Sequence, residues 1–164
     1  RVLCYGPAGT ATGAPFTGYA GAMQIRYDRI VSRAALHKAR ATYRGSGRVD
    51  EGKVLWTHKA TTTSSTNSGA IDNAASTTGG GAGYFQLSAY ASAALSTSVL
   101  ARVQHSSDNI TYADLISFTA ATAAPTAQRV ETTAVVERYV RMAASYGGGA
   151  APATAVMFVG FARY

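Results

Sequence analysis

The clearest strand signal in the sequence is the run Val99-Leu100-Ala101-Arg102-Val103-Gln104-His105, which leads into the cluster Ser106-Ser107-Asp108-Asn109. Positions 99, 101 and 103 are apolar, and a period of two is typical of a strand with one buried face. Ser, Asp and Asn favour turns because their short side chains bond the neighbouring backbone. Residues 99–109 therefore predict a strand that ends in a reversal of the chain.

The same pattern recurs on both sides of this strand. Further strands are expected at residues 84–90, 112–118, 128–132, 138–144 and 154–163, with glycine-rich links at 79–81 and 147–149. Many short strands at regular spacing, without a long helical pattern, are typical of an antiparallel sandwich or barrel. The sequence therefore predicts an all-β fold, an antiparallel β-sandwich with an extended N-terminal arm and long loops.

The chain before the predicted sandwich divides into two segments. Residues 1–59 form a basic strand-and-arm segment, and its Gly-, Pro- and Thr-rich stretch 1–18 predicts the arm. Residues 60–83 are a Ser/Thr/Gly-rich connection, in which the run Ala70-Ile71-Asp72-Asn73 is a candidate anchor. The sandwich domain then occupies residues 84–164.

Within the first segment the strand pattern is clear only in parts. Residues 19–27 and 54–56 predict strands, whereas residues 28–36 fit either a short helix or the turn of a hairpin. Residues 37–44 alternate cleanly, because one row of positions is polar and mostly basic. That row is Lys38, Arg40, Thr42 and Arg44. We therefore expect a strand with one basic face.

The net charge of the chain is +7 at pH 7, and Arg outnumbers Lys by 12 to 3. Most of the excess lies in the first third of the sequence. A basic stripe suits non-specific contact with the phosphates of DNA. It equally suits a charged interface between subunits, because the planar fork of Arg matches carboxylates. The candidate interface residues are Arg26, Lys38, Arg40, Arg44 and Arg48.

The chain is poor in charge despite its basic balance. Charged residues make up 14% of the sequence, against about 25% in an ordinary soluble domain. The remaining surface must be built largely from Ser, Thr, Ala and Gly. Such a surface is typical of one that neighbouring subunits cover, which favours self-assembly over a free monomer.

No set of residues in the sequence predicts catalysis. His37, His58 and His105 lack the paired spacing of metal ligands. Asp108 and Asp114 flank one turn and come nearest to a carboxylate pair for glycoside hydrolysis. We favour turn capping for Asp108 and a surface role for Asp114. The expectation is a protein that is not an enzyme and that uses no metal or cofactor.

Two further features restrict the class of protein. Cys4 is the one cysteine, so no disulfide forms within the chain, and it is most simply a small hydrophobic residue. No apolar run approaches the roughly 18 residues of a membrane-spanning helix. We therefore expect no contact with a membrane.

Several runs in the second half are similar to those of a known family. They are Tyr84-Phe85-Gln86-Leu87-Ser88-Ala89, Leu100-Ala101-Arg102-Val103-Gln104-His105-Ser106-Ser107-Asp108-Asn109-Ile110-Thr111-Tyr112-Ala113-Asp114-Leu115, Gln128-Arg129-Val130-Glu131, Val136-Glu137-Arg138-Tyr139-Val140-Arg141 and Val156-Met157-Phe158-Val159-Gly160-Phe161-Ala162-Arg163. Together these runs resemble the tail tube (major tail) proteins of long-tailed phages. The resemblance implies a structural virion protein, assembled in the host cytoplasm into rings or a tube with copies of itself and other virion proteins.

Two alternative roles fit the same sandwich. One is a capsid decoration, or cement, protein. The other is a carbohydrate-binding sandwich for host attachment, in which exposed aromatic rings would stack on sugars. The candidate rings for that role are Trp56, Tyr90, Tyr112 and Tyr146.

Overall fold

The computed structural model describes residues 2–9, 11–30, 38–45, 47–61, 65–91, 97–149 and 154–164. Over these residues the chain consists of thirteen β-strands and one short 3-10 turn, Gly147–Gly149. The strands are β1 (Leu3–Tyr5), β2 (Pro15–Tyr19), β3 (Ala22–Ile30), β4 (Lys38–Gly45), β5 (Val49–Thr61), β6 (Ser65–Asn67), β7 (Ile71–Asp72), β8 (Gly81–Ala91), β9 (Val99–Ser106), β10 (Ala113–Ser117), β11 (Thr126–Thr132), β12 (Tyr139–Tyr146) and β13 (Thr154–Arg163).

The strands form three antiparallel sheets. A six-stranded sheet has the order β1-β2-β5-β13-β8-β11, and a five-stranded sheet has the order β10-β9-β12-β6, with β7 also paired to β12. The third sheet contains only β3 and β4. The two larger sheets form a β-sandwich, and we call them the body of the molecule.

The main core lies between the two body sheets. Phe85 and Val159 come from the six-stranded sheet, and Val103 and Met142 come from the five-stranded sheet, and all four are buried. Burial of one such side chain stabilises the fold by roughly 1.5–3 kcal/mol. The predicted all-β sandwich is confirmed, and in β9 the alternation identifies the buried face correctly, because Val99, Ala101 and Val103 are all buried.

The predicted strands of the second half agree closely with the observed ones. The strand predicted at 154–163 is β13, and the one predicted at 99–105 is β9, which ends at the expected turn. Asp108 caps that turn, since its Oδ1 accepts hydrogen bonds from the backbone N–H of Ile110 and of Thr111, both at 2.8 Å. These features are local in sequence, which is why periodicity and turn chemistry predict them.

The N-terminal residues differ from an arm because they pair with the body. Strand β2 pairs with β5, and β1 pairs with β2. Phe16 on β2 is buried and packs edge-on against Tyr84 and Phe158, with ring centroids 5.4 and 5.6 Å apart. Gly18 has no Cβ, which leaves space for the Tyr84 ring. Aromatic burial therefore joins the first strands to the six-stranded sheet.

The Ser/Thr/Gly-rich connection also contributes to the body. Strands β6 and β7 both pair with β12, and Ile71, within the predicted anchor at residues 70–73, is part of the main core. The six-stranded sheet contains β1, β2 and β5 from the first predicted segment together with strands from the third. Strand β5 is also much longer than the predicted stretch 54–56.

Residues 28–30 of the ambiguous stretch 28–36 belong to the described part of the chain. Strand β3 continues to Ile30 and pairs antiparallel with β4, as a hairpin requires. Residues 31–37, which include the position of His37, lie outside the described part of the chain.

Candidate assembly surface

The most basic part of the molecule is the two-stranded sheet β3–β4, here called the ribbon. Among the described residues its strands pair with each other and with no other strand. Residues 22–45 contain six Lys or Arg and one acidic residue, so this stretch carries +5 of the net charge of +7. Positive charge is therefore concentrated on the element that is least involved in the body.

The register of the ribbon brings four of the five predicted interface positions onto one face. Directly opposed residues of an antiparallel pair share a face. A register shift between Gln24 and Arg26 changes which positions of β3 belong to that face. The pairs that result are Met23 with Arg44, Arg26 with Thr42, Asp28 with Arg40, and Ile30 with Lys38. Four cationic residues and one acidic residue thus occupy a single backbone face.

An apolar groove lies where the ribbon leaves the body, and we call it the ribbon-base groove. Its volume is about 520 Å³, and its walls include Tyr5, Tyr19, Tyr43 and Val49. Tyr5, Tyr43 and Val49 remain 60%, 45% and 54% exposed. Large apolar side chains gathered in one exposed site indicate a contact surface more strongly than single ones do.

The ribbon-base groove runs beside an open sheet edge. Strand β1 is the outermost strand of the six-stranded sheet and has β2 as its only strand partner within the described ranges. Its residues Leu3, Cys4 and Tyr5 carry no charge. Charged side chains normally protect a free edge against pairing with another chain. This edge therefore offers backbone hydrogen-bonding groups next to an apolar groove.

The start of β5, next to the ribbon, is fixed by a buried carboxylate. The Asp50 side chain is fully buried, and its Oδ2 accepts hydrogen bonds from Arg129 Nη2 at 2.6 Å and Nε at 2.9 Å. Its Oδ1 accepts a hydrogen bond from the Tyr164 hydroxyl at 2.9 Å, and the Tyr84 hydroxyl donates to Oδ2. We call these residues, with Arg48, the Asp50 cluster.

Electrostatics keeps Asp50 ionised in spite of its burial. Burial alone would raise the pKa of Asp50, but hydrogen bonds from Tyr84, Arg129 and Tyr164 outweigh it and the pKa is lowered. The same hydrogen bonds raise the pKa values of the tyrosine hydroxyls that donate to Asp50. Burial and the bond to Asp50 raise the pKa of Tyr164 to about 12. The cluster is thus a satisfied ion pair, not a set of groups ready for proton transfer near neutral pH.

The predicted interface residue Arg48 takes part in this cluster. Its Nε lies 3.1 Å from Asp50 Oδ1, and its guanidinium stacks 3.7 Å from the centre of the Tyr164 ring. Just over half of its side chain stays exposed. Arg44, by contrast, is exposed and borders a second hollow beside Met23. For Arg26, Lys38 and Arg40 the structure gives the backbone position on the ribbon face.

The residues considered for catalysis are engaged in separate structural contacts. Asp114 pairs with Arg102 at 3.4 Å and accepts a hydrogen bond from Gln104 at 2.8 Å. His105 Nδ1 accepts a hydrogen bond from the backbone N–H of Glu137 at 3.2 Å. Burial raises the pKa of the Cys4 thiol to about 12. The residues that the structure describes contain no group of three His, Cys, Asp or Glu suited to hold a metal ion.

The four aromatic rings considered for sugar binding do not form one exposed platform. Trp56 and Tyr90 pack against the main core, and Tyr146 is buried. The ring of Tyr112 is covered by the Arg141 guanidinium, 3.6 Å from its centre. A sugar-stacking site needs open ring faces, so this geometry lends the carbohydrate-binding alternative little support.

Comparison with protein-family models, with curated proteins and with solved structures gives no match to this chain. No helix among the described residues has the length and apolar character that a bilayer crossing requires.

Sequence reasoning identified the basic strand but missed the Asp50 cluster and the groove. The cluster joins Asp50, Tyr84, Arg129 and Tyr164, which are far apart in sequence. One local signal was present, because an Asp at an inward position of a strand needs a partner. The groove depends on β1 lying close to the ribbon, and no sequence periodicity encodes that contact.

Proposed function

We propose that this chain is a structural virion subunit that assembles with copies of itself, of the phage tail tube type. The observation that carries the proposal is the ribbon-base groove beside the open edge of β1. The sequence runs between residues 80 and 164 that resemble tail tube proteins support the same class. In this function the body is a rigid building block, and the ribbon and groove provide contacts to neighbours.

The groove is suited to protein rather than to a small ligand. Its exposed Tyr5, Tyr43 and Val49 offer apolar area, and aromatic residues are enriched at subunit interfaces. A strand added to β1 would pair with its free backbone groups, while the groove accepts alternate side chains. A second copy is the occupant that this proposal requires, because a self-assembling subunit must cover its own apolar surface.

The ribbon supplies the charge for a longer-range contact. Among the positions that the backbone register places on its one face are Arg26, Lys38, Arg40 and Arg44, together with Asp28. Acidic side chains of neighbouring subunits or of other virion proteins would neutralise it, and DNA phosphates are a further non-specific partner. Repetition of one modest contact around a ring adds up through symmetry, so no single interface has to be strong.

The test is to disrupt the groove and measure assembly. We expect the wild-type protein to sediment as oligomers and to form rings or tubes by negative-stain electron microscopy. The double substitution Tyr43→Asp and Val49→Asp places two charges in the groove and should leave the chain monomeric. Both residues are about half exposed, so circular dichroism and the melting temperature should stay close to wild type.

Val135→Asp is the matched control. Val135 is 46% exposed but lies away from the groove, so a charge there should leave assembly intact. A wild-type protein that stays monomeric at millimolar concentration, and that is absent from purified particles, would contradict the proposed function. Equal loss of assembly in the control would show that the groove is not the contact.

A further inference from the structure

The ribbon is joined to the body by two short connections. The paired register of β2 and β5 ends at Tyr19 and Val49, and that of β3 and β4 begins at Ala22 and Gly45. The direction of the ribbon relative to the body is therefore set by the few residues between these two registers. Small residues at the ends of strands are common hinge positions, because they absorb changes of φ and ψ.

Each of the two connections contains a glycine. Gly21 has a φ of +64°, in the left-handed region that glycine adopts without a steric penalty. Gly47 passes so close to the other connection that a Cβ there would lie 2.9 Å from the backbone oxygen of Ala20. Neither glycine has a side chain that would oppose a rotation of the ribbon at this point.

Both faces of the ribbon meet a hollow next to these connections. Tyr43 lines the ribbon-base groove, whereas its neighbour Arg44 borders the second hollow together with Met23. This arrangement follows from the strand geometry, in which successive residues point to opposite faces. The root of the ribbon thus has space on the groove side and on the opposite side.

The walls of the ribbon-base groove belong to the two parts that these connections join. Tyr43 is a residue of the ribbon, and Tyr5, Tyr19 and Val49 are residues of the body. The lining residues that the structure describes are all uncharged. A rotation that narrows the groove would remove apolar surface from water without desolvating a charged lining residue, and such burial is favourable.

We propose that the ribbon is a hinged strap that closes over the ribbon-base groove in the free subunit, with Tyr43 packed against Tyr5 and Val49. The open groove of this structure is then the form that accepts a second copy. Tyr43 and the neighbouring subunit compete for the same apolar surface, so the apparent affinity between subunits falls in proportion to the open fraction. The role in assembly rests on the proposed function, whereas the closure is a property of one chain.

The first test measures how fast hydroxyl radicals label Tyr5 and Tyr43 in the free subunit, with mass spectrometry of peptides as the readout. The full chain is kept dilute, and sedimentation checks that it is monomeric. Val49→Asp places a charge on the groove wall that closure would have to desolvate, so the variant should stay open. We expect both rings to be labelled about threefold faster in Val49→Asp than in the wild type, which corresponds to a closed population of about two thirds.

Val135→Asp is the control for this measurement. Val135 has an exposure similar to that of Val49 but lies outside the groove. Its substitution adds the same charge to the chain without changing the groove wall. Both rings should therefore be labelled at the wild-type rate.

A second test traps the closed form and does not depend on the folding of Val49→Asp. In a Cys4→Ser background, Tyr5→Cys with Tyr43→Cys should form a disulfide within one chain under mild oxidation. Tyr5→Cys with Arg44→Cys is the matched control, because position 44 lies on the opposite face of the ribbon. A disulfide requires Cα atoms within about 7 Å of each other, so we expect the control pair to react about tenfold more slowly.

Equal labelling of both rings in the wild type and in Val49→Asp, or equal trapping of the two cysteine pairs, overturns the strap. The two proposals can be told apart by their failures. Wild-type subunits that form rings or tubes without any sign of closure would leave the proposed function intact. Closure in a chain that never assembles would contradict the proposed function and leave the strap.

Discussion

The body and the ribbon differ in their balance of cationic and acidic residues. In the body, Arg48, Arg102, Arg129 and Arg138 each lie within ion-pair distance of a carboxylate. The ribbon stretch 22–45 contains six cationic residues and one acidic residue. Four arginines of the body thus have a carboxylate partner within the same chain, whereas the sequence of the ribbon stretch supplies one acidic residue for six cationic ones. In the function that we propose, this difference separates the folding unit from the element that contacts other subunits.

The largest effect is expected from a substitution that removes the most buried cationic partner of a body carboxylate. Arg129→Met removes the cation that makes two hydrogen bonds to the buried Asp50 carboxylate. Breaking a buried ion pair costs about 3–5 kcal/mol, and because Arg48 Nε remains 3.1 Å from Asp50 Oδ1, we expect a loss near the lower end of that range in the free energy of unfolding, measured with urea. The double variant Asp50→Asn with Arg129→Met should recover part of the loss. A change below about 1 kcal/mol in the single variant would show that Asp50 is not dependent on Arg129.

A decrease in pH should lower the free energy of unfolding by a smaller amount, again through the Asp50 carboxylate of the body. The folded pKa of Asp50 is lowered, so the unfolded chain binds its proton more readily. The stabilisation is therefore fully present above the unfolded pKa near 3.8 and is lost as the pH falls towards the folded value, at about 1.4 kcal/mol per unit of depression. Asp72 and Asp108, each with a pKa of about 2, act in the same direction.

Asp50→Asn isolates the contribution of the buried site to this pH dependence. Urea unfolding at pH values from about 2 to about 6 should show that, below about pH 4, the free energy of unfolding depends less steeply on pH in the variant than in the wild type. Identical slopes would assign the whole pH dependence to the exposed carboxylates.

Substitutions in the ribbon should change the salt dependence of DNA binding rather than the stability of the fold. We expect weak, sequence-independent binding of duplex DNA that decreases as salt rises. Lys38→Gln with Arg40→Gln should reduce the salt slope of log K by about 2, since each phosphate contact contributes about 0.9. The free energy of unfolding should change by less than about 0.5 kcal/mol, as for other surface substitutions.

Arg102→Gln with Arg138→Gln is the control of equal charge, because both arginines are already paired in the body. It should leave the salt slope near the wild-type value. An equal decrease in both double variants would mean that net charge, and not the ribbon, determines contact with DNA.

The parts of the fold that sequence predicts well are those with local causes. Strand β9 follows from alternation, β13 follows from a continuous apolar run, and the turn at Asp108 follows from its side-chain chemistry. The packing of Phe16 on Tyr84 and Phe158 joins residues more than 60 positions apart. Nothing in a Gly- and Pro-rich stretch signals that contact, so the first strands resembled an arm.

The candidate site shows the same division. The basic positions 38, 40 and 44 share a face because a strand alternates, and sequence alone predicts this. Arg26 joins them only through the register shift between Gln24 and Arg26, which depends on pairing between strands. Arg48 follows the strand in sequence but its contacts are with Asp50 and Tyr164. Sequence therefore locates the basic segment, and the structure divides it between ribbon and body.

Hydrogen exchange under assembling and non-assembling conditions tests most directly whether the ribbon and the groove, and not the body, meet other subunits. Amide exchange of the assembled wild type would be compared with that of the monomeric Tyr43→Asp, Val49→Asp variant, using mass spectrometry of peptides. The account predicts added protection in β1, β3 and β4 on assembly, with β9 and β12 unchanged. Protection that appears in β9 and β12 while β1, β3 and β4 exchange equally in both states would contradict it.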